Sequence, residues 1–205
     1  ADIFIVVGYG KILPKELIDL PKYKTLNIHT SLLPLYRGPT PVESPILNGD
    51  LETGVTIMVV DAQADHGPIV LQEKHMLDGT ETTPSLTKIL FTRGGELLAD
   101  ILPDWIEGKI KTKEQNHDQA TYSKKLTKED GLIDLNDDPV KNYNKFRAYI
   151  SWPRIFFFQN NKRIIITDAK LIENNFVIKK VLPEGRKEIT WEEFSKSNTK
   201  SNISK

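Results

Sequence analysis

The sequence predicts an α/β fold: an open, mostly parallel sheet, then a linker, then a small β-rich, barrel-like module. Three observations carry that expectation. Up to about residue 110, apolar runs of strand length alternate with helical patterns, as in layered α/β folds. Beyond about residue 128, short strands joined by tight turns take over. The charge also changes sign: 13 basic and 17 acidic residues up to position 126 give −4, and 15 and 11 beyond it give +4. Such a change suggests two modules, the second tolerant of polyanions. The expected boundaries are 1–110, a linker at 111–127, and 128–205.

The elements follow in order. Ile3-Phe4-Ile5-Val6-Val7 is apolar on both faces and reads as a buried parallel-sheet strand, ended by Gly8-Tyr9-Gly10. A helix is expected from Pro14 to about Leu20, then a strand over Thr25-Leu26-Asn27-Ile28-His29. Thr40-Pro41-Val42-Glu43 has the pattern of a helix start, with Thr40 as N-cap and Pro41 at the first helical position; Asn48-Gly49-Asp50 stops that helix. Strands follow at Val55 to Val60 and Ile69 to Glu73, flanking a loop from Asp61 to Pro68. Leu86, Ile89, Leu90, Leu97, Leu98, Ile101 and Leu102 mark a helix that begins at Thr83-Pro84, is weakened by Gly94-Gly95 and kinks or ends at Pro103.

Glu107 to about Lys128 is polar and reads as a linker. A helix is expected from Pro139 to Ile150. A hairpin turns at Asn160-Asn161, and another strand runs from Phe176 to Val181. Thr190 caps a last helix at Trp191 to Phe194, and the tail Ser195–Lys205 is expected to fray. Trp152 and Trp191 read as core anchors of the second module.

Composition excludes several classes. Charged residues at 27% and hydrophobic residues at 39% are ordinary for a globular chain. No apolar run approaches a membrane span. Cysteine is absent, which removes disulfides, thiolate nucleophiles and Cys-based zinc sites. No secretory signal is visible at Ala1-Asp2, and the chain starts without Met, directly in a strand, so the expectation is a fragment of a longer protein or an unusually truncated one, with something upstream removed or never built. Gly8-Tyr9-Gly10 lacks the third glycine of a dinucleotide fingerprint, which argues against a nicotinamide-dependent oxidoreductase. His66, His75 and His117 lack metal-ligand spacing; His75 and His117 read as surface residues, and no metal is expected.

The chemistry-bearing residues gather at one strand end. Asn27 and His29 are two apart on a strand and share a face, while Leu26 and Ile28 face the core. Ligands of open α/β sheets bind beyond such strand ends. An amide and a possible imidazolium are donors suited to a developing oxyanion. A carboxylate would complete the set by orienting the ring and managing a proton. Asp61 and Asp65 are both candidates, and spacing alone does not choose between them.

Taken together, Leu26-Asn27-Ile28-His29-Thr30-Ser31-Leu32-Leu33-Pro34, Tyr36-Arg37-Gly38, Thr53-Gly54-Val55-Thr56 and Asp65-His66-Gly67-Pro68-Ile69 resemble the formyltransferase family that uses 10-formyltetrahydrofolate. The likeness runs from Ala1 to about Lys125. It resumes at Ser151-Trp152-Pro153 and at Val181 to Lys187 before Trp191-Glu192-Glu193-Phe194. It is greatest to members acting on methionyl-tRNA. The resemblance implies a Rossmann-like sheet, incomplete at its N-terminus because the family's first β-α units have no counterpart here, and an OB-like second module. It implies that Asn27, His29 and Asp65 are catalytic, which selects Asp65 over Asp61, and gives His66 no role. It places folate contacts on Ser31, Leu32, Leu33 and Pro34, and the pterin ring between the loops Val7–Leu13 and Val60–Asp65. The implied co-substrate is 10-formyltetrahydrofolate and the implied partner initiator methionyl-tRNA. No membrane, metal or obligate protein partner is implied, and the implied location is the cytoplasm. Two other readings stay open: a formyltransferase acting on a nucleotide-linked amino sugar, and a non-catalytic remnant that binds folate or RNA.

Overall fold

The computed structural model describes the backbone of residues 1–201 and the side chains of residues 1–196. The chain divides into two units: residues 1–45 with 50–125, and residues 46–49 with 126–205.

The first unit is built on a four-stranded sheet in the order β1 (Phe4–Val7), β2 (Thr25–His29), β3 (Glu52–Val59), β4 (Ile69–Met76). β1 and β2 pair parallel, in keeping with the expected topology. The β2–β3 and β3–β4 pairings are antiparallel. The connections explain the change. A short helix, α1 (Lys15–Ile18), lies on the crossover from β1 to β2. Between β2 and β3 the only helix is α2 (Glu43–Asn48), about 9 Å long at 1.5 Å per residue and shorter than the eight-residue β3. β3 and β4 are joined by a loop, with no helix to carry the chain back.

β1 departs from the buried strand expected: Ile5 is 40% and Val7 50% exposed, because only β2 pairs with it among the described strands. The Thr40 cap is also corrected. α2 begins at Glu43, and the Thr40 hydroxyl donates to the Lys124 carbonyl instead of serving a helix start.

Helix α3 (Thr83–Ile106) packs on β2 and β3, and its N-terminus carries a capping box of Thr82 and Ser85. It runs unbroken through Gly94-Gly95. A helical glycine costs about 1 kcal/mol, less than the roughly 1.5–3 kcal/mol gained by burying each of Leu97 and Leu98. Gly94 has a second use: a Cβ there would lie 2.6 Å from Ile28 Cγ2, so its absence brings helix and sheet together. The helix also continues past Pro103. The proline falls in the last turn, where the Ala99 carbonyl it leaves unpaired sits on an exposed residue. The core joins Leu26, Ile28, Val55, Ile57, Val70, Leu97 and Leu98.

The polar stretch read as a linker is held to the first unit as far as Ser123. Lys113 pairs with Ile69, Thr121 N–H donates to the Pro34 carbonyl, and Ser123 N–H donates to the Arg37 carbonyl at 2.7 Å.

The α-helix that precedes the strands of the second unit is α4 (Pro139–Ala148), capped by the Asp138 side chain, which accepts from Lys141 N–H at 2.8 Å. Four antiparallel strands follow: β5 (Phe156–Gln159), β6 (Lys162–Ile172), β7 (Asn175–Pro183) and β8 (Ile189–Thr190). The β5–β6 turn puts Asn160 and Asn161 at φ +50° and +58°, and the β6–β7 turn puts Glu173 and Asn174 at +48° and +60°. Both are two-residue hairpins with two left-handed positions, which favour Asn. The expected barrel is an open sheet: among the described residues β8, two residues long, does not return to β5.

Helix α5 (Trp191–Ser201) is longer than expected, and Thr190 caps it as predicted, in reciprocal hydrogen bonds with Glu193. The frayed tail expected at 195–205 is helical to Ser201, and residues 202–205 lie outside the described residues. Trp191 packs with Phe157 and Phe194 as an anchor should, whereas Trp152, also expected in the core, is 50% exposed.

Candidate active site

A cleft of about 490 Å³ opens in the first unit. It is walled by the Gly8–Leu13 segment after β1, by Asn27 to Thr30 of β2 and its end, by Gly38 and Pro39, and by Pro41 to Glu43. Met58, Val60, Asp61 and Gln63 to Asp65 close another side, with Thr87 and Phe91 of α3. Strand alternation places its polar groups. Leu26 and Ile28 enter the core, and Asn27 and His29 turn to the cleft.

The His29 imidazole is buried, with both nitrogens facing protein oxygens. Nε2–H donates to the Tyr36 carbonyl at 3.0 Å, and Nδ1 stands 3.5 Å from Asp65 Oδ1. Burial pushes the His29 pKa below its usual value. The Asp65 carboxylate and the Tyr36 carbonyl oppose that shift, and the Arg37 guanidinium adds to it. The imidazolium considered as an oxyanion donor is thus disfavoured in the folded chain.

Asp65 adopts φ +50°, and its Oδ2 accepts the Gly38 N–H at 2.7 Å. Two residues on, a Cβ on Gly67 would lie 2.0 Å from the Val59 carbonyl oxygen, so only glycine allows the loop to leave β3 so closely. Asp61, the other candidate, also lines the cleft, but its carboxylate is engaged by a neighbour: its Oδ2 pairs with His66 Nδ1 at 2.7 Å, and the His66 ring stacks on His117 at 4.0 Å. Among the described residues no hydrogen bond engages the Asn27 carboxamide, which lines the cleft as an open donor. The structure therefore brings Asn27, His29 and Asp65 to one cavity.

It does not bring Ser31, Leu32, Leu33 and Pro34 there. Ser31 and Leu33 are buried, and the turn is tied into the sheet. Thr56 Oγ1 donates to the Ser31 carbonyl and accepts from Leu33 N–H, and Gln72 Nε2 donates to the Leu33 carbonyl at 2.9 Å. None of the four lines the cleft; the turn they form is a scaffold that leads the chain from β2 to Gly38.

Two polar residues in or near the site were not singled out in the sequence. Glu43 lines the cleft, and partial burial raises its pKa. Gln115 is 5% exposed inside the polar stretch and bonds to the Asp65 loop. No run of apolar residues or familiar spacing marks either. His117, read as a surface residue, is exposed but accepts from Arg37 Nη2 at 2.8 Å. Among the described residues no group of three His, Asp or Glu is arranged to hold a metal, and no helix is long and apolar enough to cross a membrane.

An open α/β sheet thus carries a cleft that joins an amide, an imidazole and a carboxylate, a donor set and a base of the kind acyl transfer calls for. Residues 1–102 match the family described as formyl transferase, and residues 125–176 match the formyl transferase C-terminal domain. The chain belongs to the formyl transferase family. It is 45% identical over 152 residues to the methionyl-tRNA formyltransferase of Roseiflexus sp. (strain RS-1), covering 74% of this chain and 47% of that one. To the methionyl-tRNA formyltransferase of Carboxydothermus hydrogenoformans it is 36% identical over 217 residues, covering 94% and 70%. A solved methionyl-tRNA formyltransferase from Clostridium thermocellum superposes with a TM-score of 0.69 at 22% identity, over 89% of this chain and 77% of that one. The chain thus spans from about half to about two thirds of the length of these two curated relatives.

Proposed function

We propose that this chain carries the catalytic centre of a formyltransferase that moves the formyl group of 10-formyltetrahydrofolate to the α-amine of initiator methionyl-tRNA. The observation that supports it is the convergence of Asn27, His29 and Asp65 on one cleft. The folate lies between the Gly8–Leu13 segment and the Val60–Asp65 loop, with its formyl carbon toward Asn27. The acceptor amine attacks that carbon and a tetrahedral oxyanion forms. The free Asn27 carboxamide donates to it. Asp65, held by Gly38 N–H with His29 Nδ1 standing 3.5 Å away, takes the proton lost by the amine, directly or through a water. The N10–carbon bond then breaks, and N10 of the folate receives a proton. The amine is the nucleophile and the folate nitrogen the leaving group, so the reaction needs neither a metal nor a covalent enzyme intermediate. Ser31 to Pro34 act by shaping the turn. The second unit, in the half of the chain with net charge +4, suits a polyanionic acceptor. Such a substrate places the protein in the cytoplasm.

The test is transfer of labelled formyl from 10-formyltetrahydrofolate to charged initiator tRNA and, in parallel, to a nucleotide-linked amino sugar. Transfer to the tRNA is expected. Transfer to the sugar alone would replace the acceptor, and folate binding without transfer to either would reduce the chain to a binding module.

A further inference from the structure

We propose that Gln115 is a positioning residue for the reaction: through one buried carboxamide it fixes the backbone of Asp65 relative to Arg37 and Gly38. The inference rests on the formyl-transfer reading above and extends it to a residue outside the cleft wall. Both ends of the Gln115 amide are used. Nε2 donates to the Asp65 carbonyl at 2.9 Å and to the Gly67 carbonyl at 2.7 Å, the two carbonyls flanking His66. Oε1 accepts from Arg37 Nη2 at 2.6 Å and from Nε at 3.2 Å. Arg37 precedes Gly38, whose N–H holds Asp65 Oδ2 at 2.7 Å.

The bonds close a ring: Gln115 to Asp65, Asp65 to Gly38, Gly38 through the chain to Arg37, and Arg37 back to Gln115. Gln115 and Arg37 are 5% and 1% exposed, so water does not substitute for these partners. The Arg37 guanidinium meets no carboxylate in this ring; its other partners are His117 Nδ1 and the Tyr122 hydroxyl. The neutral amide is the group suited to the position, because it accepts from a cation and donates to two carbonyls at once. Asp65 is a non-glycine residue at φ +50°, a conformation that persists where surroundings impose it. In catalysis a misplacement of about 1 Å costs on the order of 100-fold in rate.

The experiment uses Gln115→Glu and Gln115→Leu in the full-length protein. Glutamate keeps the shape and the Arg37 partner but sets a carboxylate oxygen against the Asp65 and Gly67 carbonyls. Formyl transfer, binding of 5-formyltetrahydrofolate and the ¹⁵N NMR signals of the His29 ring are measured. The expected result is a fall in kcat of about 10- to 100-fold, folate affinity within about threefold of the parent, and displaced His29 ring signals. The proposal is overturned if kcat stays within about twofold in both variants, or if kcat and folate affinity fall in equal proportion, as general loosening of the cleft would produce. If the leucine variant fails to fold, the isosteric glutamate variant decides. If the parent protein transfers no formyl group, the functional reading fails, and the ring signals still decide whether Gln115 sets the site: displaced in the glutamate variant they uphold it, unchanged they overturn it.

Discussion

Two histidine–carboxylate pairs share the first unit, and they differ in opposite respects. His66 and Asp61 are close, 2.7 Å, and partly exposed, with 27% and 35% of their side chains accessible. His29 and Asp65 are farther apart, 3.5 Å, and enclosed, with 6% and 19% accessible. The shorter contact is the weaker candidate for chemistry. Near solvent, such a contact is screened even with both members charged, and contributes about 0–1 kcal/mol. Within the cleft, burial shifts the titration of His29, and the carboxylate beside it is held by backbone rather than by a full counter-charge. Enclosure and the open amide of Asn27 separate the two sites more than distance does.

That contrast breaks first, and most visibly, at the enclosed site. Asn27→Ala and Asp65→Asn are each expected to lower formyl-transfer kcat by about 100-fold or more, the usual cost of removing an oxyanion donor or its partner base. Steady-state assays that found either variant within tenfold of the parent would erase the distinction. A smaller effect is expected in stability against pH. His29 has a folded-state pKa below the usual value of about 6.5. As pH falls through that value, the unfolded chain takes up more protons than the folded one, so stability is full above it and declines below it. Thermal melts between about pH 5 and pH 7.5 should show a shallower acid-side decline for His29→Gln than for the parent; parallel curves would contradict the assignment. The least effect is expected at the exposed pair: in thermal melts Asp61→Asn should change stability by less than about 1 kcal/mol.

Much of this site was legible in the sequence because it lies on regular structure. β2 spans the five residues expected, and its alternation alone sets Asn27 and His29 on one face. The choice of Asp65 was not legible from spacing; it depends on a left-handed residue and a glycine that turn the loop back toward Gly38. Gln115 was hidden for another reason. It stands among exposed polar residues at Glu114 and Asn116, and no periodicity marks a buried amide in an irregular segment. The Thr40 cap failed because a hydroxyl serves whichever acceptor tertiary structure brings near, here the Lys124 carbonyl. The barrel-like second unit failed at β8, since tight hairpins announce neighbouring strands but say nothing about whether the first and last ones meet.

Helix α3 touches the sheet at Gly94 and reaches the cleft with Thr87 and Phe91, two turns and one turn earlier. It acts as a lever resting on a bare backbone. A methyl group added at Gly94 would press on Ile28 and Val55 and tip the helix about that fulcrum, moving the Phe91 ring at the wall of the cleft. The width of the cleft is thus set in part by an atom that residue 94 lacks, and a search for residues that tune what can enter it should include positions outside its wall.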